Sequence, residues 1–145
     1  MGRRDHDVET QKDAREKKRS VNGITLDAGG LIALDRKDRR IVTLVARAAE
    51  TDFRVTVPAT ALAQAMRNPS RQPRISRLIR QPGTDLVALD GPDATKVGLL
   101  LAKTGTSDIV DAHVAICATR AGQPVVTSDP EDLHRIAPEL RLVVL

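Results

Sequence analysis

Aromatic side chains are nearly absent: Phe53 stands alone, with no tryptophan and no tyrosine. A nucleic-acid reader that stacks bases on aromatic rings is therefore disfavoured. Any nucleic acid would be held through its phosphates by Lys and Arg. Cysteine is equally scarce. Cys117 is the only one, so no internal disulfide can form and a cysteine-rich zinc site is excluded. That usage fits a reducing cytosol, and the apolar run around Cys117 marks it as a small core residue. No run approaches the ~18 apolar residues of a membrane span. No apolar stretch follows the basic residues at the N-terminus, as a signal peptide requires. The expectation is a cytoplasmic protein without a membrane partner.

What is present suits one folded domain. The chain has 145 residues, and a domain of that size buries roughly 68–70% of its unfolded surface. A formal charge of +4 leans modestly toward polyanionic partners. Residues 1–22 read as a polar N-terminal extension: Met1 to Ser20 hold seven Lys/Arg against five Asp/Glu and almost nothing to bury. Residues 23–145 read as the domain.

Within the domain, short apolar runs alternate with helical patterns. ITLD, from Ile24 to Asp27, reads as a strand ending in an acid, and Gly29–Gly30 as a turn into LIAL. Asp38 to Glu50 repeats Ile41, Leu44, Val45 and Ala48 at helical spacing. Further strands are expected over 53–58, 85–89, 124–127 and 140–145. Further helices are expected over 59–67, 71–80, 92–103, 107–121 and 130–136, with Gly105 and Gly122 as C-terminal stops. The pattern predicts an α/β fold: a central, mostly parallel sheet of about five strands flanked by helices.

The acids at the strand ends have two readings. Asp27, Asp108 and Asp129 all sit where a helix N-cap belongs, and Asp129 precedes Pro130, a favoured first helical residue. Asp111 and Asp132 follow their caps by three residues, a position that supports the cap. Taken together they suggest more. In a parallel sheet the carboxyl ends of the strands lie along one edge, where ligands bind. Asp27 and Asp129 both follow strands, and Asp111 lies in the first turn of a helix with Ala112, Ala115 and Ala118 on its close-packing face. No Lys or Arg stands within three residues of Asp27, Asp111 or Asp129. Two carboxylates ~5 Å apart repel by roughly 3 kcal/mol at an effective dielectric near 20. Such a group holds a proton or binds a hard divalent cation, Mg²⁺ or Mn²⁺. A cation of this kind activates water and stabilises charge on a phosphoryl oxygen.

LDAGGLIAL, VPATALAQAMR, DAHVAICA and VVTSDPEDL, in this order and spacing, resemble the PIN-domain ribonucleases, in particular VapC-type toxins of toxin–antitoxin pairs. The resemblance spans about Ile24 to Leu145. It implies a single PIN-like domain that cleaves RNA endonucleolytically by a metal-activated water, forms a homodimer and is neutralised by a small antitoxin. It assigns catalysis and metal binding to Asp27, Asp111 and Asp129. Asp132 falls at a second acidic position often seen in the family, and Asp108 is an additional acid. The departure is Gln64, where the family usually has Glu, which removes one negative charge. The alternative is therefore a degenerate PIN-like domain that binds RNA or a protein without cutting.

Other residues have supporting or neutral readings. Thr127 and Ser128 are placed to orient a carboxylate or a water, and turn chemistry explains them equally well. Arg67, Arg71, Arg74 and Arg77 recur every three or four residues. They read either as a solvated face or as a phosphate track leading to the acidic edge. His113 points away from Asp111 around its helix and reads as structural. His134 reads as a surface residue.

Overall fold

The short apolar strands lie side by side in one sheet. The computed structural model describes residues 23–145, and the extension read over residues 1–22 lies outside them. Strands β1 (Gly23–Leu26), β2 (Arg54–Pro58), β3 (Thr84–Val87), β4 (Val125–Thr127) and β5 (Leu142–Val144) run in the order β3-β2-β1-β4-β5. Every pairing is parallel. The expected α/β class and five strands are observed, in a sheet that is wholly parallel.

Parallel neighbours require crossovers, and helices supply them. They are α1 (Ala28–Asp35), α2 (Arg39–Glu50), α3 (Ala59–Ala65), α4 (Pro73–Leu78), α5 (Gly91–Thr104), α6 (Ile109–Ala121) and α7 (Pro130–Ile136). All four residues of β1 are buried although alternate side chains point to opposite faces, so this strand is covered on both sides. Leu26, Leu31, Ile41, Val55, Val57, Ile75 and Leu133 form the centre of the core. The chain builds outward from β1 through β2 to β3, then returns to place β4 on the other flank of β1. The reversal leaves a crevice beyond the carboxyl ends of β1 and β4, where open parallel sheets bind ligands.

Two sequence expectations are corrected. Gly29 and Gly30 do not turn the chain; both lie inside α1. They are glycines because α1 lies so close to β4. A Cβ on Gly30 would meet the Val126 carbonyl oxygen at 2.9 Å, and one on Gly29 would collide with the Ser128 hydroxyl. The helix expected over 71–80 is also shorter and interrupted. A 3₁₀ turn at Pro69–Arg71 precedes α4, which starts on Pro73. Between them the buried Gln72 closes the break. Its Oε1 accepts from the backbone N–H of Arg67 (2.8 Å) and Asn68 (2.9 Å), and its Nε2 donates to the Ala65 carbonyl (3.0 Å).

Two glycine substitutions test this account of close packing. Gly98, on α5, has open space where a Cβ would go. Gly98→Ala should stabilise by about 0.5–1 kcal/mol through helix propensity. Gly30→Ala should destabilise despite the same gain, because α1 must move off β4. Equal stabilisation of both variants in urea titrations would contradict the packing account.

Candidate active site at the carboxyl edge of the sheet

Asp27 leaves β1 directly into the crevice. It caps α1, with the Gly30 N–H donating to its Oδ1 at 2.8 Å, and it is buried. Burial raises its carboxyl above the usual range. The Thr127 hydroxyl and the Gly30 and Gly29 amides oppose that rise, and the Asp129 charge adds to it. Thr127 is fully buried, and its hydroxyl oxygen also accepts from the Asp129 N–H at 2.9 Å. It thus links the loop after β1 to the loop after β4, consistent with an orienting role. Ser128, next to it, is exposed and packs over Gly29.

Asp129 occupies the N-cap position of α7, but its side chain makes no capping hydrogen bond. The cap reading is therefore corrected for this residue. Its carboxylate lies beside Asp132 instead and raises the Asp132 carboxyl. Asp108 is a true cap: its Oδ1 accepts from the Asp111 N–H at 3.0 Å and fixes the first turn of α6. Asp111 is half-buried there. Burial, then the charge and hydrogen bond of Asp108, then Asp132 and Asp27, push its carboxyl up to about 7. The alanines beside it, Ala112, Ala115 and Ala118, are buried, and α6 packs on β1, β2 and β4.

The five acids therefore act on one another: Asp108 lies beside Asp111 and Asp129 beside Asp132, while Asp27 acts on Asp111 and is acted on by Asp129. The donor chemistry fits a hard divalent cation: every group is a carboxylate, and among the described residues the one ion pair to the cluster is that of Arg135, 4.0 Å from Asp132. As the side chains stand, no three His, Cys, Asp or Glu among the described residues converge closely enough to hold one ion. Binding requires the paired carboxylates to turn toward the crevice.

Gln64 is exposed on α3, one turn beyond Thr60. It brings an amide where a carboxylate would add charge. His113 is buried, as its structural reading requires. Its Nδ1 lies 2.7 Å from the Thr60 hydroxyl and pins α6 to α3. Its Nε2 has no hydrogen-bond partner and lies 4.0 Å from Asp93, which pairs with Arg120. Burial lowers the imidazole, so it stays neutral at physiological pH. His134 is exposed. Burial pushes the Cys117 thiol up to about 11, as suits an inert core residue.

The arginine series does not build one track to the acids. Arg67 folds back onto the carbonyls of Ala63 and Met66, both at 3.1 Å. Arg71 is exposed in the 3₁₀ turn. Arg74 and Arg77 line a groove of about 660 Å³ with Val45, Phe53, Leu78 and Gly83. That groove lies by the amino ends of β2 and β3, at the sheet edge opposite Asp27 and Asp129. The helix expected over 71–80 would have carried Arg71, Arg74 and Arg77 in one spiral; its interruption at Gln72 separates Arg71 from the other two. Sequence reading did not single out a different basic group, Arg36-Lys37-Asp38-Arg39-Arg40, which runs from the C-cap of α1 into the first residues of α2. The usable signal was its place at the far end of the helix that Asp27 caps.

An acidic crevice at the reversal point of a five-stranded parallel sheet defines the class of protein. Comparison with known proteins makes it more specific. No family model and no curated protein matches the chain, whereas solved structures do. A chain of VapBC2 from Rickettsia felis, in a crystal structure with a DNA fragment from the pair's promoter, superposes with a TM-score of 0.62 at 15% identity, over 85% of this chain and 98% of that one. A chain of FitAcB from Neisseria gonorrhoeae gives 0.54 at 17% identity, over 82% and 95%. A chain of FitAB bound to a DNA fragment gives 0.56 at 17% identity, over 83% and 94%. These are toxin–antitoxin complexes. At such identities the likeness concerns the fold, and the fold is the PIN-like one that the sequence resemblance implied. No helix among the described residues is long and apolar enough to cross a membrane.

The crowding of acids has a pH signature. Asp111 titrates near 3.8 when unperturbed and near 7 in the fold. The native state holds the proton more tightly, so the group's contribution to stability is full below about pH 4 and is lost as pH rises through 7. In chelator, Asp111→Asn should raise the thermal midpoint at pH 8 by about 3–8 °C. The gap to the wild type should close as pH falls toward 4. A pH-independent gap would contradict the crowding.

Proposed function

We propose that this chain is a divalent-metal-dependent endoribonuclease and the toxin of a toxin–antitoxin pair. The observation that supports the reading is the crowding of carboxylates at the reversal point of the sheet, which raises Asp27, Asp111 and Asp132. Asp27, Asp111 and Asp129 would hold Mg²⁺ or Mn²⁺. When bound, such an ion neutralises the acids, offsets phosphate charge and activates water for hydrolysis.

The chain's own residues prepare that arrangement. The Asp108 cap fixes the first turn of α6, and the alanine face lets Asp111 approach the sheet. Thr127 ties the loop of Asp27 to that of Asp129. Asp132 holds the Asp129 carboxylate and adds charge. RNA is the proposed substrate and a small antitoxin the proposed partner. The groove lined by Val45, Phe53 and Leu78, with Arg74 and Arg77 on its rim, suits an apolar antitoxin segment with acidic flanks. The exposed Leu99 and Ile109 on α5 and α6 are apolar surface that the proposed homodimer would cover.

A second reading is supported by one residue. Gln64 supplies no charge, and a PIN-like domain lacking that acid could bind RNA or a protein partner without cutting.

Incubation with RNA separates the two. The nuclease reading expects cleavage with Mg²⁺ or Mn²⁺ that stops in chelator and falls at least 100-fold in Asp111→Asn, on the scale of losing a transition-state charge stabiliser. Tight RNA binding without metal-dependent cleavage would contradict it and favour the degenerate domain. Equal cleavage by wild type and Asp111→Asn would mark a contaminant.

A further inference from the structure

A second groove, of about 540 Å³, opens beside the acids. One face of α1 with Gly29 and Ile32, continued by its C-cap Arg36, lines it together with Asp38, Arg40, Ser128 and Leu145. Residues 29, 32 and 36 recur at helical spacing, so they share that face. The face extends about 10 Å at 1.5 Å per residue. At its near end Gly29 is two residues from Asp27, and Ser128 adjoins Asp129. The groove therefore opens onto the acidic crevice.

Its far end is cationic. Asp38 takes the Arg40 guanidinium in a two-point pair, with N···O distances of 3.2 and 3.0 Å, which compensates that charge. Arg36 lines the groove, is exposed, and makes no ion pair among the described residues. Lys37 follows at φ 64°, a left-handed conformation that a non-glycine residue holds only where its surroundings impose it. It turns the chain so that Arg36, Arg39 and Arg40 come from one short corner.

An acidic end that suits a cation, continuous with a basic end that suits a phosphate, matches an extended phosphodiester chain. The volume is that of a small-ligand site, which suits a single strand rather than a duplex. With Phe53 as the only aromatic residue, and that one in the other groove, the hold falls to phosphate contacts. We propose that this groove carries the backbone of single-stranded RNA away from the acidic crevice, with Arg36 as its phosphate contact. The identity of the polymer rests on the nuclease reading; the polarity of the groove does not.

Binding of a labelled single-stranded oligoribonucleotide, followed by fluorescence anisotropy in chelator across a salt series, tests this. One lost single-strand phosphate contact lowers the slope of log K against log salt by about 0.7. Arg36→Ala should show that drop with several-fold weaker binding, Arg36→Glu should lose at least tenfold, and Arg36→Lys should recover most of the affinity. Lys103→Ala, in the last turn of α5, should bind as the wild type does. Arg36 is exposed, and unchanged circular dichroism checks that each variant folds. Wild-type affinity and slope in Arg36→Glu would overturn the proposal. So would a Lys103→Ala loss equal to that of Arg36→Ala, or duplex DNA of the same length competing as well as the RNA strand. Arg36-dependent binding without any metal-dependent cleavage would leave the groove standing and contradict the nuclease reading. Metal-dependent cleavage indifferent to Arg36 would do the reverse.

Discussion

Mutual repulsion among carboxylates is the constraint on which this site depends. Two of them ~5 Å apart cost roughly 3 kcal/mol at an effective dielectric near 20. Here Asp27, Asp111 and Asp129 are gathered by three separate elements, and Asp108 and Asp132 are added beside them. Each is held by structure that serves the fold as well. Asp27 and Asp108 cap helices, and the Asp129 amide leans on a buried threonine. The caps lower the cost of placing each acid, and none removes the crowding. The high titration of Asp111 and the raised Asp132 carboxyl are how the fold accommodates that crowding without a cation.

The sheet order explains why these residues meet. With β1 between β2 and β4, the loops after β1 and β4 flank the same crevice. The helix returning from β3 delivers Asp111 to it. A thin, alanine-rich α6 and a glycine-containing α1 let two helices lie close to the strands. The distant relatives in solved structures share this scaffold at identities of 15–17%. On that scaffold this chain places Gln64, Asp108 and the basic corner at Arg36.

Much of this was legible in the amino-acid order. Consecutive apolar residues in ITL and PVV signalled strands covered on both faces. Gly105 and Gly122, at φ 69° and 65°, end α5 and α6 where left-handed stops were expected. The illegible parts depend on what lies across space. Gly29–Gly30 reads locally as a turn, and only the closeness of β4 makes it helix. Gln72 breaks a continuous arginine-rich pattern by satisfying three backbone groups from within the core. Asp129 before Pro130 reads locally as a cap, but a neighbouring carboxyl group engages its side chain. The arginine series, read by spacing along a helix, is divided between Arg71 in the 3₁₀ turn and Arg74 and Arg77 by the amino ends of the strands.

The central claim is that the crowded acids form a divalent-cation site. Crystals soaked in Mn²⁺ and measured at a wavelength where manganese scatters anomalously test it most directly. The account predicts one or more anomalous peaks in the crevice ligated by Asp27, Asp111 and Asp129, with the Asp108–Asp111 and Asp129–Asp132 pairs opened. Crevice density without an anomalous peak at saturating Mn²⁺, with both carboxyl pairs still closed, would contradict it.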